Sequence, residues 1–296
     1  MSEQAPAGTI YDRGYRHYDG PREGRSRALA AIVQAGVRRS LGLKRSWKTK
    51  IVPFGLLVLA FGPVLAFIGI RLLVGQAAGQ FIGYSQYLSI VSVLLLLFAA
   101  TAGPELLCPD RRSHVLALVF TRPLTWVDYL LAKLAALLLV VGLIAVVPLL
   151  VLYAGNTMTA PSAASYLRGH LGDLGRILLA GAVLTVFYAV VALAAASLTD
   201  RRSLATAGLL GTFLVSTPVA NAILFSASFP GRRWVVFGAL QGLPFWFVEW
   251  LFGRPPPPGS PAALAGFGGL AYLAAMAVVA ALALALLTWR VARIQP

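Results

Sequence analysis

The sequence predicts an all-α membrane protein: six transmembrane helices, an N-terminal interfacial amphipathic helix, and an outer re-entrant hairpin before the last span. Three observations carry this reading. Six stretches contain no Asp, Glu, Lys or Arg, namely 51–70, 72–104, 134–167, 177–199, 203–231 and 255–289. A helix needs about 20 apolar residues to cross the hydrocarbon core. An unpaired charge at the bilayer centre costs about 2.5–3.5 kcal/mol on insertion scales, so a repeated absence of charge over such lengths has a physical cause. The composition agrees: 58% of the 296 residues are hydrophobic and 12% charged, with mean hydropathy +0.79, where soluble domains carry about a quarter charged residues. The third observation is the placement of the 25 basic residues between the apolar stretches.

Taken in order, residues 1–50 read as a cytosolic N-terminal segment. Within it, 25–46 has Leu29, Ile32, Val33, Val37 and Leu41 at helical spacing, flanked by Arg25, Arg27, Arg38, Arg39 and Arg45. That pattern suits an amphipathic helix lying in the membrane interface; the alternative is a solvated helix packed on a partner. Residues 51–296 form the transmembrane domain, with spans expected at about 51–74, 84–103, 129–153, 174–198, 204–227 and 264–288. The first apolar stretch starts too late for a signal-peptide core, so the first span is expected to remain as an anchor. With the N-terminus in the cytoplasm, nineteen basic residues fall on the cytoplasmic side and six on the outer side. The positive-inside rule then places both termini in the cytoplasm of a multi-pass cell-membrane protein. Residues 229–258 hold an uncharged stretch, 234–248, too short to cross. It reads as a re-entrant or interfacial hairpin at the outer face, with Trp234, Trp246 and Trp250 at headgroup level.

Net charge is +15, concentrated in the first 50 residues. That bias fits anionic membrane lipids; fused to a membrane span, it does not point to nucleic acid. Signatures of catalysis are missing from the sequence. There is no G-x-x-x-x-G-K-[ST] loop to cradle a nucleotide phosphate, no H-E-x-x-H, no G-x-S-x-G, and no Asp-rich cluster for magnesium. Gly266-x-Gly268-x-x-Ala271 mimics a dinucleotide loop, but lies in an apolar span, where close helix packing explains it. No cofactor and no enzymatic activity are expected of this chain itself. The spans also lack the mid-membrane ionisable groups common in ion-driven carriers. Two mild polar stripes exist: Ser85, Ser89 and Ser92 on the second span, and Thr212, Ser216, Thr217 and Asn221 on the fifth. They line a path or a dimer interface, or hydrogen-bond a neighbouring helix.

The most specific segment is 103–133. Asp110 is expected to N-cap a short helix whose apolar face is Val115, Leu118 and Val119, and Thr125-Trp-Val-Asp128 forms a capping box that starts the third span. A short amphipathic helix between two capped spans suits a membrane subunit that receives force from a soluble partner. This segment resembles the cytoplasmic loop after the second span in permease subunits of type-2 ABC exporters. Glu105, the pair Arg111-Arg112, the Leu-rich stretch with Leu116 and Leu118, Arg122-Pro123-Leu124, Asp128-Tyr129 and Lys133 stand at the motif positions. The N-terminal Tyr11-Asp-Arg-Gly-Tyr-Arg-His-Tyr-Asp-Gly-Pro-Arg is similar to the leader of some bacterial members. A Gly-Thr often seen after the basic pair is replaced by Ser113-His114.

The resemblance implies a membrane-spanning subunit that pairs with a second copy or a homologous permease and docks two ABC ATP-binding subunits, which bind ATP and magnesium. The coupling loop would be 104–128. Glu105, Arg111, Arg112, Val115, Leu118, Val119 and Arg122 would contact the ATP-binding subunit. The other reading of function is a secondary transporter or channel; a membrane-embedded enzyme stands third.

Overall fold

A computed structural model describes residues 24–43, 47–74, 83–113, 124–226 and 230–293. The described residues form helices joined by turns and short irregular segments, without strands. The elements are α1 Arg25–Ser40, α2 Trp47–Val74, α3 Tyr84–Arg112, α4 Trp126–Thr159, α5 Ala163–Ser197, α6 Arg202–Ser226, a 3₁₀ helix Arg232–Gly238, α7 Gly242–Leu251, α8 Pro261–Ala265 and α9 Gly269–Ala292. Six of them (α2, α3, α4, α5, α6 and α9) are long and apolar enough to cross a membrane. That is the make-up of a multi-pass membrane protein.

The core sits on α3 and α5. In each, 67% of the most apolar window is buried, against 44% in α4 and about a fifth in α2, α6 and α9. The large side chains Tyr87 and Phe98 of α3, Phe187 and Tyr188 of α5, and Phe213 of α6 are fully buried. Small residues allow the backbones to meet. A Cβ at Gly103 would lie 3.0 Å from both the Cβ and the carbonyl oxygen of Ala192, the close approach that helix pairs in lipid use in place of a hydrophobic drive.

The second span runs further than expected. It was expected to end at about 103, and a proline at 104 removes a backbone N–H from any helix that continues. Instead α3 continues through Pro104 and Pro109 to Arg112. The Ala100 carbonyl, which Pro104 deprives of its partner, accepts the Thr206 hydroxyl of α6 at 2.8 Å, a repair that apolar surroundings favour. The third span also lengthens, over Trp126–Thr159, and the fourth starts at Ala163 with a break at His170 (φ −119°, ψ 17°). The last span starts later, at Gly269. Residues Pro261–Ala265 form a separate turn of helix that closes at Gly266, in the left-handed region at φ 67°.

Residues 231–252 form two short helices bent by 99°. The bend is buried, not splayed on a surface. Leu243, Phe247 and Val248 are core residues. Trp246, expected at headgroup level, is 7% exposed and packs on the Tyr272 ring at 5.3 Å, whereas Trp234 and Trp250 are 58% and 44% exposed. The indole of Trp250 lies over Gly269, where any Cβ would collide with it.

Candidate functional site

The strongest concentration of paired charge lies where α1 crosses the ends of α3 and α4. The stripe of α1 that faces them includes Leu29, Val33, Gly36 and Ser40, half-buried or buried. Gly36 sets the approach: a Cβ there would come within 2.7 Å of the Ala136 Cβ and 3.4 Å of Leu106 Cδ2. The amphipathic stripe read from the sequence is therefore covered, at least in part, by this chain's own helices.

Around that contact sits a buried ionic network. Asp110, on the last turn of α3, accepts Arg39 Nη1 at 2.6 Å, Lys133 Nζ at 2.6 Å and the Tyr129 hydroxyl at 3.0 Å. It thus joins α1, α3 and α4 through one carboxylate. Lys133 has a side chain only 6% exposed, and its Nζ lies 5.2 Å from the Tyr129 ring centroid. Burying these charges is tolerated because each has an opposite charge, with the Tyr129 hydroxyl completing Asp110 and its ring lying beside Lys133. Asp110 does not N-cap a new helix, as its place before the basic pair suggested; it lies inside a helix and is a cross-link. The i, i+4 spacing of Tyr129 and Lys133 puts both on one face of α4, the single local signal that they share a partner.

The start of α4 is fixed as the sequence predicts. Thr125 Oγ1 accepts the Asp128 backbone N–H at 3.3 Å, and Asp128 Oδ2 accepts the Thr125 N–H and hydroxyl, each at 2.9 Å. Asp128 Oδ1 also accepts Arg25 Nη2 at 2.7 Å. That hydrogen bond, followed by the carboxylate charge, raises the Arg25 pKa further above its ordinary value. The end of α3 is held on its other side. Arg111 pairs with Asp200 at 3.0 Å and donates to the Ser197 carbonyl, while Glu105 accepts Arg202. Cys108 Sγ donates to the Thr199 carbonyl at 3.3 Å.

Of the residues expected to contact a partner, Glu105 and Arg111 are thus engaged within the chain, at the α5–α6 turn. Arg112 is exposed and lines a polar groove with Pro109, Ser113 and residues 200–203. Val115, Leu118, Val119 and Arg122 lie outside the described residues. Among the described residues no cluster of three metal-ligating side chains occurs.

The two polar stripes converge on a residue the sequence did not single out. Gln241, at the bend between the 3₁₀ helix and α7, donates its side-chain amide to Ser92 Oγ at 3.3 Å and its backbone N–H to Thr217 Oγ1 at 3.2 Å. Its side-chain oxygen accepts the Tyr188 hydroxyl at 3.3 Å. The neighbouring Leu240 N–H donates to Ser216 Oγ at 3.3 Å. Ser85 is buried, Ser89 donates back to the Ser85 carbonyl, and Thr212 back to Gly208. Asn221 keeps a buried side-chain oxygen without a partner among the described residues. The stripes are therefore largely satisfied by their own helices and by the bend. Ser92 lies eight residues into α3, about 12 Å at 1.5 Å per residue, so the bend reaches well inside the bundle.

No protein-family model matches the chain, and no curated protein matches it.

Proposed function

We propose that this chain is the membrane-spanning permease subunit of an ATP-driven ABC transporter, acting as an exporter in the cell membrane with both termini cytoplasmic. The observation that best supports this is the double clamp on segment 113–124. Its entrance is held by the Asp110 network and by the Arg111–Asp200 and Glu105–Arg202 pairs; its exit is held by the Thr125–Asp128 box and Arg25. A push on that segment would move α1, α3, α4 and the α5–α6 turn together, as coupling to a soluble motor requires. The basic asymmetry puts the segment on the cytoplasmic side, where ATP is. The chain has no loop to cradle ATP, so hydrolysis belongs to two copies of a partner subunit that bind ATP and magnesium.

In this reading Val115, Leu118 and Val119 enter a groove on the ATP-binding subunit, with Arg112 and Arg122 at its rim. A second permease copy and membrane lipids cover the sparsely buried faces of α2, α6 and α9. The bend at Gln241 is a re-entrant hairpin on the outer side. Leu118→Asp tests the coupling role: it should detach or uncouple the ATP-binding subunit while leaving membrane insertion intact, because a buried leucine contributes about 1.5–3 kcal/mol and a buried unpaired carboxylate costs more. Co-purification at normal stoichiometry with normal transport would refute it. Proton- or sodium-dependent uptake by the purified chain alone would favour a secondary transporter instead.

A further inference from the structure

At the end of the bundle away from α1, a cavity of about 240 Å³ opens between α2, α3, α4, α5 and the residues after α7. Three of its polar lining residues, Asn156, Tyr84 and Tyr166, form one hydrogen-bonded chain that begins at Arg71 behind the wall. Arg71 Nη1 donates to Asn156 Oδ1, and Asn156 Nδ2 donates to the Tyr84 hydroxyl at 3.0 Å. Because arginine has no acceptor, the amide orientation is fixed by this pair. The Tyr84 and Tyr166 hydroxyls then meet at 3.0 Å. Two hydroxyl protons share that one contact, so one of them remains unclaimed at the cavity wall whichever oxygen accepts. Arg71 Nε is also buried without a partner among the described residues.

The charge around the cavity points the same way. The lining carries two guanidinium groups, Arg176 and Arg254, and one carboxylate, Asp173, with Arg71 behind Asn156. Asp173 is already paired with Arg176 at 3.2 Å; Glu249 stands outside the lining, its carboxyl pushed up by burial with the Arg254 charge acting the other way. The Arg254 guanidinium lies over Gly83, in the space any side chain there would need, and makes no ion pair among the described residues. His170 stacks on Tyr166 with ring centroids 4.0 Å apart, its Nδ1 3.0 Å from the Tyr166 carbonyl. Phe67 and Phe252 form apolar flanks. Unclaimed donors, surplus positive charge and aromatic flanks together fit an anion that carries an apolar group or stands alone.

We infer that this cavity binds a phosphate group, with Arg254, Arg176 and the tyrosine hydroxyl pair as its donors. The phosphate is either the headgroup of an anionic lipid or a free anion. This site is independent of the ATP-binding partner and stands or falls apart from the exporter reading. The test is calorimetric titration of the detergent-purified full chain with dihexanoylphosphatidylglycerol, with inorganic phosphate in phosphate-free buffer, and with dihexanoylglycerol, which has no phosphate. Saturable binding of the phosphatidylglycerol alone identifies a headgroup site; binding of inorganic phosphate as well identifies a free-anion site. In either case Arg254→Gln and Tyr166→Phe should each weaken binding about tenfold or more, the scale of a hydrogen bond to a charged group. Arg254 is exposed, and Tyr166→Phe keeps the ring stack, so both variants should retain the parent melting temperature. Absence of saturable binding, equal binding of dihexanoylglycerol, or unchanged affinity in both variants would overturn the assignment.

Discussion

Asp110→Asn removes one negative charge and almost no volume from the point where α1, α3 and α4 meet. Wild-type Asp110 receives Arg39 and Lys133, both at 2.6 Å. The substitution strands both cations, but unequally. Arg39, with a side chain 33% exposed, can turn to water; Lys133, at 6%, cannot. Leaving a buried charge without its partner costs about 3–5 kcal/mol. For folded units of 150–250 residues each kcal/mol moves the melting temperature by about 2–4 °C, so Asp110→Asn should melt roughly 6–20 °C below wild type in detergent. Removing the stranded charge should restore part of the loss. Asp110→Asn with Lys133→Met should therefore be more stable than the sum of the single changes predicts, by about 0.5–3 kcal/mol. The assay is thermal unfolding followed by size-exclusion or intrinsic tryptophan fluorescence on all three variants. Melting of Asp110→Asn within about 2 °C of wild type, or strictly additive changes, would refute the claim that this carboxylate carries the α1–α3–α4 junction.

Other outcomes follow from neighbouring features. Gly36→Ala places a Cβ within 2.7 Å of the Ala136 Cβ and should cost about 1–3 kcal/mol as an overpacked contact; Ala136→Gly in the same chain should relieve it, and a wild-type melting temperature for Gly36→Ala would contradict the docking of α1. Thr125→Ala should lose about 1 kcal/mol through the capping box while Thr125→Ser keeps most of it, and equal losses in the two would show that the hydroxyl does not cap α4. In a Cys108→Ala background, a cysteine at Ser162 should react with an impermeant reagent from outside and one at Ser203 should not; outside labelling at 203 would invert or break the six-span arrangement.

The sequence by itself determined the parts whose cost is local. Six apolar stretches become six long helices because a chain in hydrocarbon must satisfy each backbone group within its own segment, and no distant residue enters that requirement. The capping box at Thr125–Asp128 is likewise complete within four residues. Tertiary structure decided everything whose partner is remote in the chain. The helix runs on through Pro104 because Thr206, about a hundred residues away, satisfies the carbonyl that the proline frees. Asp110 looked like a cap because Arg39 and Lys133 lie in two other helices, and Glu105 and Arg111 looked free for a partner because Arg202 and Asp200 come to them only after α4 and α5 have folded back. Gln241 was silent for the same reason: a lone amide in an apolar stretch has no pattern, and its role appears only when the bend carries it between Ser92, Tyr188 and Thr217. Composition and short spacing therefore specify which segments become helices, while the close packing of those helices specifies which polar atoms meet.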